Sequence, residues 1–70
     1  MMPLILAEAE KPQIIKKIGG NDETRRHLAD LGFTVGASAT VINSLNGNLI
    51  VKVKESRIAI NEDLAKKIMI

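Results

Sequence analysis

The apolar positions between residues 22 and 36 recur at the spacing of a helix and then stop at a glycine. An α-helix turns about 100° per residue, so Leu28 and Leu31 share one face. Gly32 follows directly, and glycine readily adopts the left-handed conformation in which helices commonly end. Gly36 lies four residues further on and indicates a second turn. The pattern therefore predicts a short helix that ends at Gly32 and buries both leucines.

Short segments of alternating apolar and polar residues predict strands on both sides of this helix. Asn46-Gly47 lies between two of them and is the dipeptide most typical of a two-residue hairpin. We interpret Glu55-Ser56 as the next turn and Asn61 as the cap of a final short helix. Because short strands leave exposed edges in a flat sheet, we expect a mainly β fold with one or two short helices that closes into a small barrel. The predicted strands are residues 14–18, 37–43, 49–54, 57–60 and 68–70.

Chain length and composition limit the size of the core. Seventy residues allow one domain, residues 1–70, with one small core. Apolar residues make up 46% of the sequence, which favours a folded domain over a disordered segment. Phe33 is the only aromatic residue and is expected to fold back onto the apolar face of the helix. The core must therefore be built mainly from Ile, Val, Leu and Ala.

The absence of cysteine excludes disulfides, thiolate zinc sites and iron–sulfur clusters. Small extracellular domains are often held together by disulfides, so the composition favours a cytoplasmic location. The apolar opening is too short for a signal peptide, and no segment approaches the roughly 20 apolar residues that a membrane-spanning helix needs. We therefore expect no direct membrane insertion.

The charge pattern gives weak support for nucleic-acid binding. Ten basic and eight acidic residues leave a formal charge of +2, and the basic residues form scattered pairs. Proteins that follow a phosphate backbone usually concentrate basic residues in one stripe, and single-strand binders stack bases on several aromatics. Phe33 alone makes a poor stacking platform, so no nucleic acid partner is expected. A basic patch at Lys52 and Lys54 keeps a nucleic-acid-binding barrel as an alternative.

No set of residues indicates catalysis, because a Ser–His–acid set, a Walker loop and paired catalytic carboxylates are all missing. We therefore expect no enzyme, no catalytic residue and no cofactor. His27 and Asp30 lie three positions apart, but two ligands make a weak iron(II) site. His27 is expected at the half-covered rim of the apolar face, and no metal site is assigned. Arg26 is interpreted as a surface residue that pairs with Asp22 or Asp30, rather than one that contacts a transferred phosphate.

The block Arg25-Arg26-His27-Leu28-Ala29-Asp30-Leu31-Gly32-Phe33-Thr34-Val35-Gly36 resembles the FeoA family. Thr40-Val41, Val51 to Val53 and Ser56 to Ile60 follow in the order that the family shows, and the resemblance covers the chain from about Leu6 onward. The sequence departs from the family at Val35, where proline is common, and at Lys11-Pro12-Gln13, where Pro-Gly is common. Both departures affect the stiffness of turns and leave the fold assignment intact.

The resemblance implies a small SH3-like, five-stranded barrel that serves as a cytoplasmic accessory or regulatory protein of ferrous iron uptake. The partner that it implies is FeoB, a membrane ferrous iron transporter with a cytosolic GTPase domain. The same barrel also occurs fused to iron- or manganese-dependent repressors, which leaves a metal-regulator-type domain as a second alternative. Weak self-association stays open.

Protein contact is the function that these observations favour, since loops on a rigid barrel commonly carry recognition. Two segments are candidates, the loop after the helix and the tip of the hairpin. Leu45 at the tip either packs beneath the turn or meets a partner. Leu28, Leu31, Gly32 and Gly36 are assigned structural roles. The candidate contact residues are Phe33, Thr34, Val35, Ala37, Leu45 and Asn46.

Overall fold

The computed structural model describes all 70 residues, Met1–Ile70, and contains six strands and two α-helices. A 3₁₀ turn at Leu4–Leu6 precedes them. The predicted mainly β class with short helices is confirmed. In chain order the elements are β1 (Gln13–Ile14), β2 (Lys17–Ile18), α1 (Asp22–Leu31), β3 (Ser38–Leu45), β4 (Asn48–Val53), β5 (Ser56–Asn61), α2 (Glu62–Ala65) and β6 (Ile68–Met69).

Helix α1 begins and ends where local chemistry favours it. The side chain of Asn21 accepts a hydrogen bond from the N–H of Thr24 at 2.8 Å, and this satisfies one of the donors that a helix start leaves unpaired. Gly32 has a φ of 107°, and its N–H donates to the carbonyl of Ala29 at 2.9 Å. The predicted stop in a left-handed conformation is therefore confirmed.

Only one of the two predicted core leucines is fully buried. Leu28 has no exposed surface, whereas Leu31 is half-buried and packs against the core from its edge. Leu31 is the last residue of α1, and the chain turns away at Gly32, so no further helical turn covers its outer side. The predicted burial is confirmed for Leu28, whereas Leu31 is buried only in part.

The main sheet consists of four antiparallel strands in the order β1-β3-β4-β5, and β2 pairs antiparallel with β6 in a second sheet. The hairpin between β3 and β4 turns at Asn46 and Gly47, which have φ of 53° and 79°. Two successive positive φ values are those of a type I′ turn, so the predicted hairpin is confirmed. A bulge between Val41 and Asn43 interrupts the β3–β4 register, and bulges of this kind bend a small sheet.

The predicted strand over residues 14–18 is divided between the two sheets. The N–H of Ile15 donates to the carbonyl of Ala37 at 2.9 Å, beside the main sheet, and that of Lys16 donates to Met69 at 2.8 Å, in the small sheet. One segment thus supplies an edge to each sheet. The fold has six strands rather than five for this reason, and this crossing joins the two sheets into a barrel.

The turn between β4 and β5 lies at Lys54-Glu55, one residue earlier than predicted. Lys54 has a φ of 55°, in the left-handed region that lysine seldom occupies, and the sequence therefore gave no turn signal there. The position of this turn sets the register between β4 and β5. Lys52 lies directly opposite Arg57.

One apolar core of 13 residues fills the space between the sheets and the helices, and no polar or charged residue is buried. The N-terminal segment belongs to this domain, because Leu4 is fully buried and Met2 and Ile70 exchange backbone hydrogen bonds of 2.9 and 2.8 Å. The core residues are Leu4, Ile15, Leu28, Phe33, Ala39, Val41, Leu49, Val51, Val53, Ile60, Ala65, Ile68 and Ile70.

Candidate partner-binding surface

The loop between α1 and β3 exposes some of the predicted contact residues and buries one of them. Phe33 is fully buried in the core, so its assignment as a contact residue is wrong. Its burial follows from the left-handed turn at Gly32, which directs the next residue back toward the helix. Thr34 and Val35 are exposed, and Val35 keeps 66% of its surface accessible.

Backbone hydrogen bonds hold this loop in place. The N–H of Gly36 donates to the carbonyl of Ile15 at 2.8 Å, and the N–H of Ala37 donates to the carbonyl of Thr34 at 3.0 Å. Gly36 has a φ of 92°, which glycine tolerates best. The exposed side chain of Val35 therefore projects from a fixed backbone.

Ala37 occupies a position between the core and the surface. It is half-buried and packs against the core, and it also lines an open depression of about 390 Å³ on the outer side of the main sheet. A larger residue at this position would disturb packing as well as the surface. The depression is lined by Pro12, Ala37, Ser38, Thr40, Lys52 and Lys54.

The hairpin tip presents a second exposed apolar side chain among the predicted contact residues. Leu45 is 59% exposed, and its cross-strand partner Asn48 and the turn residue Asn46 are exposed as well. Leu45 therefore does not pack beneath the turn. Exposed leucine at the end of a hydrogen-bonded hairpin is available to a partner.

The structure does not bring the loop and the hairpin tip together. The loop leads into β3 at Ser38, and the tip follows the end of β3 at Leu45. Seven steps along a strand cover at most about 23 Å, and the longest dimension of the molecule is 28 Å. The two apolar patches thus lie at opposite ends of β3 and form two separate candidate contacts.

The charged side chains form few pairs. Lys11 and Glu8 lie 2.6 Å apart, and Arg25 pairs with Asp22; both pairs are exposed. Asp22 is thus the partner of Arg25, and Arg26 forms no ion pair, which corrects the predicted pairing of Arg26. Exposed pairs of this kind stabilise a protein by only about 0.2–1 kcal/mol.

His27 is exposed rather than half-covered, which corrects the expectation from the helical pattern. Its position on α1 directs it to solvent because Leu28, the next residue, takes the core-facing position. No group of three or more His, Asp or Glu side chains comes close enough together to hold a metal ion.

Sequence reasoning missed one feature of the outer face of the main sheet. Cross-strand pairing places Thr40, Lys52 and Arg57 side by side on three neighbouring strands. None of these basic residues forms an ion pair within the chain. The row depends on the turn at Lys54-Glu55, which places Lys52 opposite Arg57 and which no residue type at that turn indicated beforehand.

Two antiparallel sheets joined around one small apolar core, with exposed loops at both ends of β3, define a small SH3-like barrel domain. The longest helix has ten residues, and none is long and apolar enough to cross a membrane. The FeoA domain model matches residues 2–70. The chain belongs to the FeoA family.

Individual relatives agree with this assignment. A protein of Methanocaldococcus jannaschii described as "Putative Fe(2+) transport protein A" is 37% identical over 70 residues, which cover all of this chain and 85% of that protein. The crystal structure of an iron uptake regulatory protein (FeoA) superimposes with a TM-score of 0.87 at 31% identity, over 96% of this chain and 89% of the other.

Two further solved structures share the fold at lower identity. Stenotrophomonas maltophilia FeoA, described as an SH3 domain protein and solved in complex with zinc, gives a TM-score of 0.83 at 23% identity, over 99% of this chain and 88% of the other. A manganese-dependent transcriptional repressor gives 0.82 at 14% identity, over 94% of this chain and 38% of the repressor. The predicted SH3-like architecture is confirmed.

Proposed function

We propose that this chain is a cytoplasmic accessory protein of ferrous iron uptake that acts by docking onto the cytosolic part of a FeoB-type membrane transporter, where its GTPase domain lies. The chain itself catalyses no reaction and holds no cofactor. Membership of the FeoA family and the description of a 37% identical relative as an Fe(2+) transport protein support the link to iron uptake.

The observation that carries the docking proposal is the exposure of two apolar side chains on fixed backbone. Val35 and Leu45 are 66% and 59% exposed, and fully burying one such side chain is worth about 1.5–3 kcal/mol. One such side chain at the centre of a small contact supplies part of a micromolar affinity, roughly −8 kcal/mol, and the surrounding contact supplies the rest. That strength suits a transient regulatory contact.

The two alternatives find less support in the same surface. A barrel that binds single-stranded nucleic acid by base stacking needs exposed aromatic rings. The one aromatic side chain of this chain, Phe33, is buried. The likeness to a manganese-dependent repressor is at 14% identity and concerns the fold alone.

A test in cells separates docking from folding. Leu45→Asp and Val35→Asp each place a charge in one of the two patches, and Leu45→Met keeps an apolar side chain at the tip. Ferrous iron uptake is measured in cells in which the chain is replaced by each variant. We expect uptake to fall severalfold with an aspartate variant and to persist with Leu45→Met, because a buried carboxylate without a partner is costly.

The matched control is Ala29→Glu, which adds one negative charge at an exposed position of α1. It should leave uptake unchanged, and circular dichroism should show that all four variants are folded. Normal uptake with folded Leu45→Asp and folded Val35→Asp, alone and combined, would contradict docking through either patch.

A further inference from the structure

Strand β5 leaves one edge of the main sheet unpaired. It is the last strand in the order β1-β3-β4-β5, and no backbone hydrogen bond links it to a segment beyond β4 on its other side. In an antiparallel ladder every second residue directs its N–H and C=O away from the paired neighbour. Residues 56–61 therefore present a row of free donors and acceptors.

This edge lacks most of the features that block strand addition. Natural sheets protect their edges with bulges, prolines, very short strands or several charges. The β4–β5 register runs without a bulge through six pairs, and the strand Ser56–Asn61 contains neither proline nor lysine. Arg57 is its single charged residue, and its side chain is exposed.

The two faces of the sheet differ sharply beside this edge. Directly paired residues share a face, so Lys52 and Arg57 stand together on the outer face, with Lys54 at the adjoining turn. On the inner face, Ile58 is half-buried at the edge and Ile60 is buried. A further strand at this edge would place every second side chain on the outer face, beside the basic row of Lys52 and Arg57. The side chains between them would lie on the inner face, beside the apolar row that ends at Ile58.

We propose that the free edge of β5 binds an extended segment of a partner protein in which acidic and apolar residues alternate. The segment adds to the sheet as a fifth, antiparallel strand. Its acidic side chains face Lys52 and Arg57, and its apolar side chains extend the row that ends at Ile58. Backbone hydrogen bonds supply the affinity, and the two rows fix the register.

Charge also sets the direction of the segment. Arg57 lies near the N-terminal end of β5, whereas the acidic residues Glu62 and Asp63 follow its C-terminal end in the first turn of α2. An antiparallel segment consequently carries its acids in its C-terminal half, beside Arg57. This inference goes beyond the proposed function, since it concerns another surface and does not depend on which protein supplies the segment.

Two other occupants fit the edge less well. A second copy of this chain would offer its own β5, which contains a base and no acid, so the basic row would stay unmatched. A nucleic acid would match the charge, but it has no strand-like row of amide donors and acceptors to pair with the edge. Both are distinguishable outcomes of the test below.

The test uses the full chain, labelled with ¹⁵N, and a synthetic peptide of about eight residues, valine and threonine in its N-terminal half and alternating valine and aspartate in its C-terminal half. Three control peptides accompany it: one with lysine for aspartate, one with the order of the halves reversed, and one N-methylated at alternate amides. Hydrogen exchange of the β5 amides is measured with and without each peptide, and separately with a single-stranded oligonucleotide.

We expect the acidic peptide to slow exchange at alternate residues of β5 and the N-methylated peptide to have no effect. The lysine peptide and the reversed peptide should bind several times more weakly. Arg57→Glu should weaken binding severalfold, because one exposed charge pair contributes up to about fivefold and the new glutamate also repels the aspartates. Lys66→Glu, which makes the same charge change at an exposed position outside the sheet, should leave binding unchanged.

Three results would overturn the proposal. The first is binding of the N-methylated peptide as tightly as the parent, which would show that charge alone holds it. The second is protection of β5 that grows with protein concentration in the absence of peptide, which would make a second copy the occupant. The third is a failure of the acidic peptide to protect β5 at millimolar concentration, whether or not an oligonucleotide binds there.

Discussion

The backbone N–H of Phe33 donates a hydrogen bond to the carbonyl of Leu28 at 2.9 Å, across the end of helix α1. Together with the bond from Gly32 to Ala29, it completes a Schellman motif, in which the residue after the glycine also contacts the last turn of the helix. Both Phe33 and Leu28 are fully buried. The turn at Gly32 thus ends the helix and places the side chain of Phe33 in the core.

The first prediction concerns the contribution of Leu28 to the stability of the core. Leu28→Ala should lower the free energy of unfolding by about 2–5 kcal/mol, a large part of what a small domain has. Leu31→Ala should cost only about 1–2 kcal/mol, because Leu31 is only partly buried. Urea denaturation of the two variants gives the comparison, and an equal loss in both would contradict the assignment of Leu28 as the central residue.

The second prediction concerns the left-handed turn. Gly32→Val should destabilise the protein by more than about 1 kcal/mol, since a branched Cβ is strained at a positive φ. A Cβ at Gly32 would meet Val53 at an ordinary 3.5 Å, so the Cβ atom itself adds no clash beyond the strain at positive φ. Gly19→Val is the matched control: Gly19 has no positive φ, and its nearest neighbour would also lie at 3.5 Å. A loss of stability as large in the control would show that packing, not φ, decides.

The helix stop and the hairpin were predictable because a few adjacent residues determine each of them. Gly32 fits the left-handed position, and Asn46-Gly47 fits a type I′ turn, whatever the rest of the fold does. The faces of a strand are also local, and Ile60 is buried as the alternation predicted.

The division of the first strand could not be predicted, because the segment carries apolar residues on both of its faces. Ile14 is 53% exposed and Ile15 is buried, and periodicity alone does not tell which sheet each residue joins. The turn at Lys54 was missed for a related reason. Its φ of 55° is imposed by the pairing of β4 with β5 rather than favoured by lysine itself.

The candidate surface was predicted in part. Val35 and Leu45 are exposed, as contact residues must be, but Phe33 is not. Phe33 had two predicted roles, packing onto the apolar face of the helix and contact with a partner. Its burial and its hydrogen bond to Leu28 confirm the first role. The distance between Val35 and Leu45 depends on the length of β3. Neither loop sequence could therefore predict that the two residues lie far apart.

The third prediction concerns the metal. The isolated chain should bind iron(II) no more tightly than a generic surface does, because His27 is exposed and no group of three His, Asp or Glu side chains surrounds it. Anaerobic titration calorimetry is the measurement. A stoichiometric site of micromolar affinity that disappears in His27→Ala would contradict this expectation.

The fourth prediction, and the most direct test of the central claim, is a binding titration. The full chain is titrated against the cytosolic region of a FeoB-type transporter, and separately against single- and double-stranded DNA, at about 150 mM salt, where electrostatic binding is already weakened. Docking predicts a micromolar, salt-resistant complex with the transporter region that Leu45→Asp or Val35→Asp weakens and Ala29→Glu does not. Salt-resistant binding to DNA, with no contact to the transporter even in native membranes, would contradict it.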